Sequence, residues 1–207
     1  MVRSKQAHWQ AVYQSKETDE VSWYQSIPRT SLDFIQRSAK DRTARIIDIG
    51  GGDSNLVDHL IKQGFSELTI LDISDTAINR TKDRLKGSIP EIEFIVTDVT
   101  AFKPSKEYDV WHDRAAFHFL TNQSDQEKYI SILKSAVKPE GHVILATFAI
   151  GGATKCSGLP TEQYDCDKME LRFGKDFKLL ECNDEIHQTP SGSEQLFKIF
   201  WLQYLPG

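Results

Sequence analysis

Eight residues have types and spacing that could do chemistry: Asp48-Ile-Gly50-Gly51-Gly52-Asp53-Ser54-Asn55. Glycines let a backbone turn sharply and come close to a ligand. Asp72 stands 20 residues after Gly52. An acid at that distance can accept both hydroxyls of an adenosine ribose. A nicotinamide fingerprint would need a further glycine where Asn55 stands. Asp48, Asp53, Asp72 and Asp98 all fall at or just beyond the ends of apolar runs. Four carboxylates would repel a pyrophosphate; they suit a cofactor with a sulfonium, an ammonium and no phosphate. S-adenosylmethionine has that make-up. The plainer alternatives are that the loop only joins a strand to a helix and that Asp72 only caps the next helix.

A second cluster lies in His112-Asp113-Arg114-Ala-Ala-Phe117-His118-Phe119-Leu120. Asp113 and His118 are the candidates for a base, since a His near neutral pKa can take a proton from a hydroxyl, thiol or amine. His118 could equally cap or pack the helix that follows. Arg114 could pair with a substrate carboxylate or hold Asp113 in place. Trp9, Tyr13, Trp23 and Tyr24 crowd the N-terminal segment. Their rings could cover a sulfonium or simply pack the first helix on the sheet. His187 reads as a surface or packing residue.

These residues need a frame to hold them. Apolar runs rich in branched residues sit at 45–49, 68–73, 92–97, 108–112 and 142–149. Helical patterns at 55–63, 75–86 and 124–138 separate them. Asp53 or Ser54 would cap the first of these, and Gly64 and Gly87 would stop the first two. Strands alternating with helices imply a parallel sheet, with ligands at the carboxyl ends of the strands. Residues 177–187 and 194–205 alternate more clearly and suit a closing antiparallel pair around Pro190-Ser-Gly192. Two helices are expected within 7–35, and Ser31 would cap a helix over 32–38. The longest irregular stretch, 151–164, is a candidate substrate lid.

The 207 residues suit one domain, and 39% hydrophobic with 27% charged is a globular composition. A net charge of −5 without a Lys or Arg stripe speaks against strong nucleic-acid binding. No apolar run has the length of a membrane span. The first residues lack the apolar stretch of a secretory signal, so a cytoplasmic location is expected. Cys156, Cys166 and Cys182 are odd in number and form no CxxC pair. That argues against a disulfide framework and against a zinc site, and no metal is expected.

On these motifs the chain resembles a class I, seven-stranded S-adenosylmethionine-dependent methyltransferase over nearly its whole length. Asp48 and the glycines resemble the family's first motif, and Asp72 its ribose-binding acid. Thr97-Asp98-Val99 resembles the adenine-binding segment, 108–114 the fourth-strand motif beside the transferable methyl, and 137–142 the turn before strand five. The resemblance implies an α/β, three-layer, Rossmann-like sheet in the order 3-2-1-4-5-7-6, with the seventh strand antiparallel. It implies one domain: a covering segment 1–40, a cofactor core 41–150, a lid and helix 151–176, and closing strands 177–207. The residues expected at the cofactor are Asp48, Gly50, Gly51, Gly52, Asp72, Ile73, Asp98, Val99, Asp113, Trp23, Tyr13 and Trp9. Those expected at the acceptor are Arg114, Phe117 and Cys156. The implied function is methyl transfer to an undetermined acceptor, a small molecule being favoured over a protein lysine. A nicotinamide-dependent oxidoreductase and a silent cofactor-binding module remain as alternatives.

Overall fold

The computed structural model describes residues 4–86 and 92–207. Seven strands form one sheet: β1 Ile46–Ile49, β2 Leu68–Asp72, β3 Glu93–Val96, β4 Tyr108–Arg114, β5 Val137–Phe148, β6 Phe177–Gln188 and β7 Glu194–Tyr204. Their order is β3-β2-β1-β4-β5-β7-β6. The first five are parallel, and β7 runs antiparallel to β5 and β6. This is the expected architecture. Six helices accompany the sheet: α1 Lys5–Ser15, α2 Arg29–Ser38, α3 Leu56–Lys62, α4 Asp75–Arg84, α5 Gln123–Ala136 and α6 Cys166–Phe173. The expected stop at Gly87 lies outside the described residues. Among those residues no helix is long and apolar enough to cross a membrane.

Side chains alternate between sheet faces, so each strand feeds two cores. Ile46, Ile70, Val110 and Ile144 meet Leu32 and Ile35 of α2, Leu56 and Leu60 of α3, and Ile78 of α4. Ile47, Leu71, Trp111 and Val143 meet Tyr129 and Leu133 of α5, and Met169 and Phe173 of α6. This parity decides below which site residues face one another. At the carboxyl ends, α1 lies across the opening. Its Gln10 accepts from Ser74 Oγ at 2.5 Å and from the Thr76 N–H at 3.2 Å, and its Lys5 pairs with Asp125 at 3.0 Å.

Four local expectations change. Helix α2 begins at Arg29, so Ser31 is not its cap; the hydroxyl turns inward and bonds His112 instead. The helix before β5 stops at Ala136, because Val137 leaves it to pair with Tyr108. The stretch 151–164 is not irregular. Lys155–Cys156 and Leu159–Pro160 form a small hairpin, and Tyr164 bridges Ala149. Finally, Cys166 on α6 and Cys182 on β6 form a disulfide, with Cα atoms 6.0 Å apart. Counting cysteines could not show that a helix would lay one against a strand and leave Cys156 over. Disulfides are rare in reducing compartments, so the pairing stands against the cytoplasmic expectation.

Candidate functional site

The loop after β1 opens a cavity at the carboxyl ends of the strands. Gly50 has φ +68°, a conformation favouring glycine, and a Cβ there would stand 3.0 Å from Ala116 Cβ. At Gly51 a Cβ would stand 2.4 Å from Asp48 Oδ2, and at Gly52 one would stand 2.5 Å from Asp72 Oδ2. The last two glycines therefore make room for the two acids. The N-cap of α3 is Asn55, without a side-chain cap bond, and not Asp53 or Ser54 as expected; Ser54 Oγ accepts the Leu56 N–H at 3.1 Å one residue earlier.

One end of the cavity is lined by Asp72, Ile73, Asp98 and Val99. Burial pushes the Asp72 carboxyl up to about 7, and the charge on Asp48 adds to this; the Ser74, Ile73 and Gly52 amides act the other way. Asp98 Oδ1 is occupied by the amide and hydroxyl of Thr100, at 2.8 and 2.7 Å. Its Oδ2 is the oxygen left for a ligand amino group. Above this end, Trp9, Tyr13 and Trp23 form an edge-to-face cluster, with Trp9–Trp23 centroids 5.8 Å apart and Tyr13–Trp23 centroids 6.1 Å apart. All three rings line the cavity.

Asp48 lines an adjoining recess with Gly51, Ser31 and His112. Asp48 pairs with His112 in the β1–β4 register, and both point toward α2. Asp48 Oδ1 lies 2.7 Å from His112 Nδ1, and His112 Nε2 lies 2.9 Å from Ser31 Oγ. His112 belongs to the fourth-strand motif but had no role of its own in the sequence; the β1–β4 register is what sets it against Asp48.

Asp53 is different. It accepts from Thr18 Oγ at 2.6 Å and pairs with Arg84 at 2.7 Å and Arg80 at 3.3 Å. Arg80 also donates to the carbonyls of Tyr13 and Lys16, at 2.6 and 2.9 Å. Asp53 thus ties Thr18 to the arginines of α4 while Arg80 reaches the end of α1, and the Asp53 charge is neutralised. The negative ring expected from sequence holds three acids, not four. The arginines lie four apart on one helix, and nothing local announced their partner.

Asp113 and Phe117 also differ from expectation. The parity that turns His112 toward α2 turns Asp113 toward α5. There it accepts from Tyr129 Oη at 2.7 Å and from the Ala116 and Phe117 amides at 2.9 and 3.1 Å. Burial raises its carboxyl to about 6. It is not among the residues that line the cavity. Phe117 is likewise enclosed by Tyr129, Tyr164 and Phe173.

The other end of the cavity is lined by Arg114, His118, Phe148, Phe197, Gln195 and Cys156. Burial pushes the Cys156 thiol up, away from thiolate chemistry. His187 bonds the Ser22 carbonyl at 2.7 Å and so holds the covering loop, a packing role. The residues fit an adenosine beside Asp72 and Asp98 and a cationic, phosphate-free tail toward the Asp48 recess. Acids offer acceptors, aromatic rings offer π-faces, and among the described residues the cavity's basic side chains are Lys5 and Arg114, with no cluster to hold a pyrophosphate.

Comparison with known proteins agrees. Residues 46–141 match the family described as a methyltransferase domain. Malonyl-[acyl-carrier protein] O-methyltransferase 2 of Ilyobacter polytropus is 31% identical over 116 residues, covering 56% of this chain and 42% of that protein. The EEF1A lysine methyltransferase 2 of Mus musculus is 23% identical over 191 residues, covering 84% and 72%. A solved SAM-dependent methyltransferase from Anabaena variabilis superposes with a TM-score of 0.74 at 14% identity, covering 98% and 96%. The chain spans less than half the length of the Ilyobacter relative.

Proposed function

We propose that the chain is a class I S-adenosylmethionine-dependent methyltransferase that moves the donor's methyl group to a small-molecule acceptor held beside Arg114 and His118, a reading supported by the match of residues 46–141 to a methyltransferase domain. The observation that carries this is the cavity. One cavity is lined by Asp98, Asp72 and Gly50, by Arg114 and His118, and by Lys5, Trp9 and Tyr13 of α1. The donor supplies a methyl on a good leaving group, so positioning and exclusion of water are what the protein must add. Asp72 accepts the ribose hydroxyls, Asp98 the adenine amino group, and Ile73 and Val99 sandwich the ring. Asp48, held by His112, faces the methionine end. Trp9, Tyr13 and Trp23 close over the cofactor and keep water out.

One feature favours a small acceptor. His118, Phe148 and Phe197 at the acceptor end are almost wholly enclosed. A protein lysine would need an open mouth there. The name of the Ilyobacter relative points to an acyl carboxylate, while that of the mouse relative points to lysine. Thermal-shift titration with S-adenosylhomocysteine against NAD tests the donor; a response to NAD alone would sink this reading. Labelled S-adenosylmethionine offered to small-molecule and protein panels tests the acceptor. Transfer to protein alone would favour the lysine reading, and binding without turnover a silent module.

A further inference from the structure

Three donors in the residues lining the acceptor end make no hydrogen bond among the described residues: His118 Nε2, Arg114 Nε and Arg114 Nη2, the last of which faces Glu185 as an ion pair at 3.6 Å. Buried polar groups are nearly always bonded, because each has given up its water. His118 is oriented first. The Phe148 N–H donates to its Nδ1 at 3.3 Å, so the neutral ring carries its proton on Nε2. The ring also stacks on Phe148, with centroids 4.6 Å apart. Burial, and then the charge of Arg114, lowers its pKa to about 3. At ordinary pH it is a donor and not a base.

Arg114 lies over the Phe197 ring, 4.7 Å from its centre, and the same ring lies 6.4 Å from His118. Its Nη1 donates to the Trp23 carbonyl at 3.1 Å. Glu185 stands 3.6 Å from Nη2, an ion pair too long for a hydrogen bond. Among the described residues that line the acceptor end, Arg114, His118 and Gln195 offer donors and none is a free base, while the Glu185 carboxylate is held by Arg114. Asp113 faces α5, and the Cys156 thiol is held protonated by burial. An acceptor that must lose a proton finds no group to take it among the described lining residues; one that arrives ionised needs none.

We propose that the acceptor is a carboxylate, seated by one oxygen between Arg114 and the His118 Nε2–H and methylated on the other. This rests on the methyltransferase reading above. A lone pair on the free oxygen forms the new bond to the methyl carbon. The carbon–sulfur bond breaks and its pair stays on sulfur. Carboxylate and sulfonium charges cancel, a methyl ester and S-adenosylhomocysteine leave, and no proton moves.

The test uses methyl-labelled S-adenosylmethionine with malonate, a malonyl thioester and medium-chain monocarboxylates, each beside its amide, and with primary amines. Mild alkali then releases labelled methanol from methyl esters only. The expected label comes from a carboxylate and is alkali-labile. It falls about 100-fold in Arg114→Gln, the loss typical of a buried charge pair. It falls about tenfold in His118→Phe and less in His118→Gln, which keeps a donor. The binding counterpart is a carboxylate that raises the melting temperature of the S-adenosylhomocysteine complex in the wild type but not in Arg114→Gln. Alkali-stable label, or no carboxylate outdoing its amide in both transfer and stabilisation, overturns the proposal and leaves the methyltransferase reading standing. Failure of the wild type to bind S-adenosylhomocysteine sinks that reading instead. If Arg114→Gln weakens S-adenosylhomocysteine more than about tenfold, the arginine serves the cofactor's own carboxylate, and the assignment fails.

Discussion

His112 Nδ1 lies 2.7 Å from Asp48 Oδ1, across the β1–β4 pair, while its Nε2 reaches Ser31 on α2 at 2.9 Å. One ring thus anchors the acid of the glycine loop to the helix beneath it. His112→Phe keeps the volume but strands a buried carboxylate and a buried hydroxyl. Urea unfolding should show a loss of about 1–3 kcal/mol. S-adenosylhomocysteine should bind about tenfold more weakly, a shift of about 1.4 kcal/mol. Unchanged affinity in a folded variant would detach Asp48 from the cofactor.

Asp72 makes binding sensitive to pH. Burial raises its carboxyl to about 7, far above its ordinary 3.8. A raised acid contributes stability below the unfolded pKa and loses it as pH climbs through the folded one. Asp113, raised to about 6, acts in the same direction. The ligand-free protein should therefore lose stability between pH 4 and 7 from these two groups. Ribose hydroxyls donate to the ionised Asp72, so the ligand should bind more tightly as pH rises toward 7 and above. Melting temperatures with and without S-adenosylhomocysteine should diverge over pH 5.5 to 8. Asp72→Asn should remove the divergence; a constant gap in the wild type would refute the coupling.

Asp113 separates support from catalysis. Its carboxylate takes three donors, and Tyr129 in turn accepts from Trp111 Nε1 at 2.8 Å. Tyr129→Phe breaks both of its bonds at once. A stability loss of about 2 kcal/mol is expected, with the pH–rate profile unmoved. A profile that loses a limb while the melting temperature holds would make Asp113 a base after all.

The Cys166–Cys182 bridge closes a loop with a sequence separation of 16. A loop of that size restricts the unfolded chain by about 3 kcal/mol in the chain-entropy account. Cys166→Ser, or reductant, should lower unfolding stability by roughly that amount. Neither bridging residue lines the cavity, so S-adenosylhomocysteine affinity should stay the same. An equal midpoint with and without reductant would show that the bridge does not form.

Much of the fold was legible because its signals are local. The glycines at 50–52 demand a tight turn, Asp72 ends its own strand, and the branched runs alternate with capped helices. The element order, the closing antiparallel pair and the cofactor acids follow from patterns a few residues long. The tertiary structure decided what those patterns leave open. Neighbours in sequence, His112 and Asp113, part to opposite faces of β4, and only the strand register tells which one meets Asp48. Asp53 looks like a free carboxylate until α4 brings Arg80 and Arg84 to it. Cys166 and Cys182 look unpaired until α6 docks on β6. His118 looks like a base until the Phe148 amide claims Nδ1 and leaves its proton on Nε2. Residue type sets what a group can do; register and packing set its partner, and the partner decides its charge and proton.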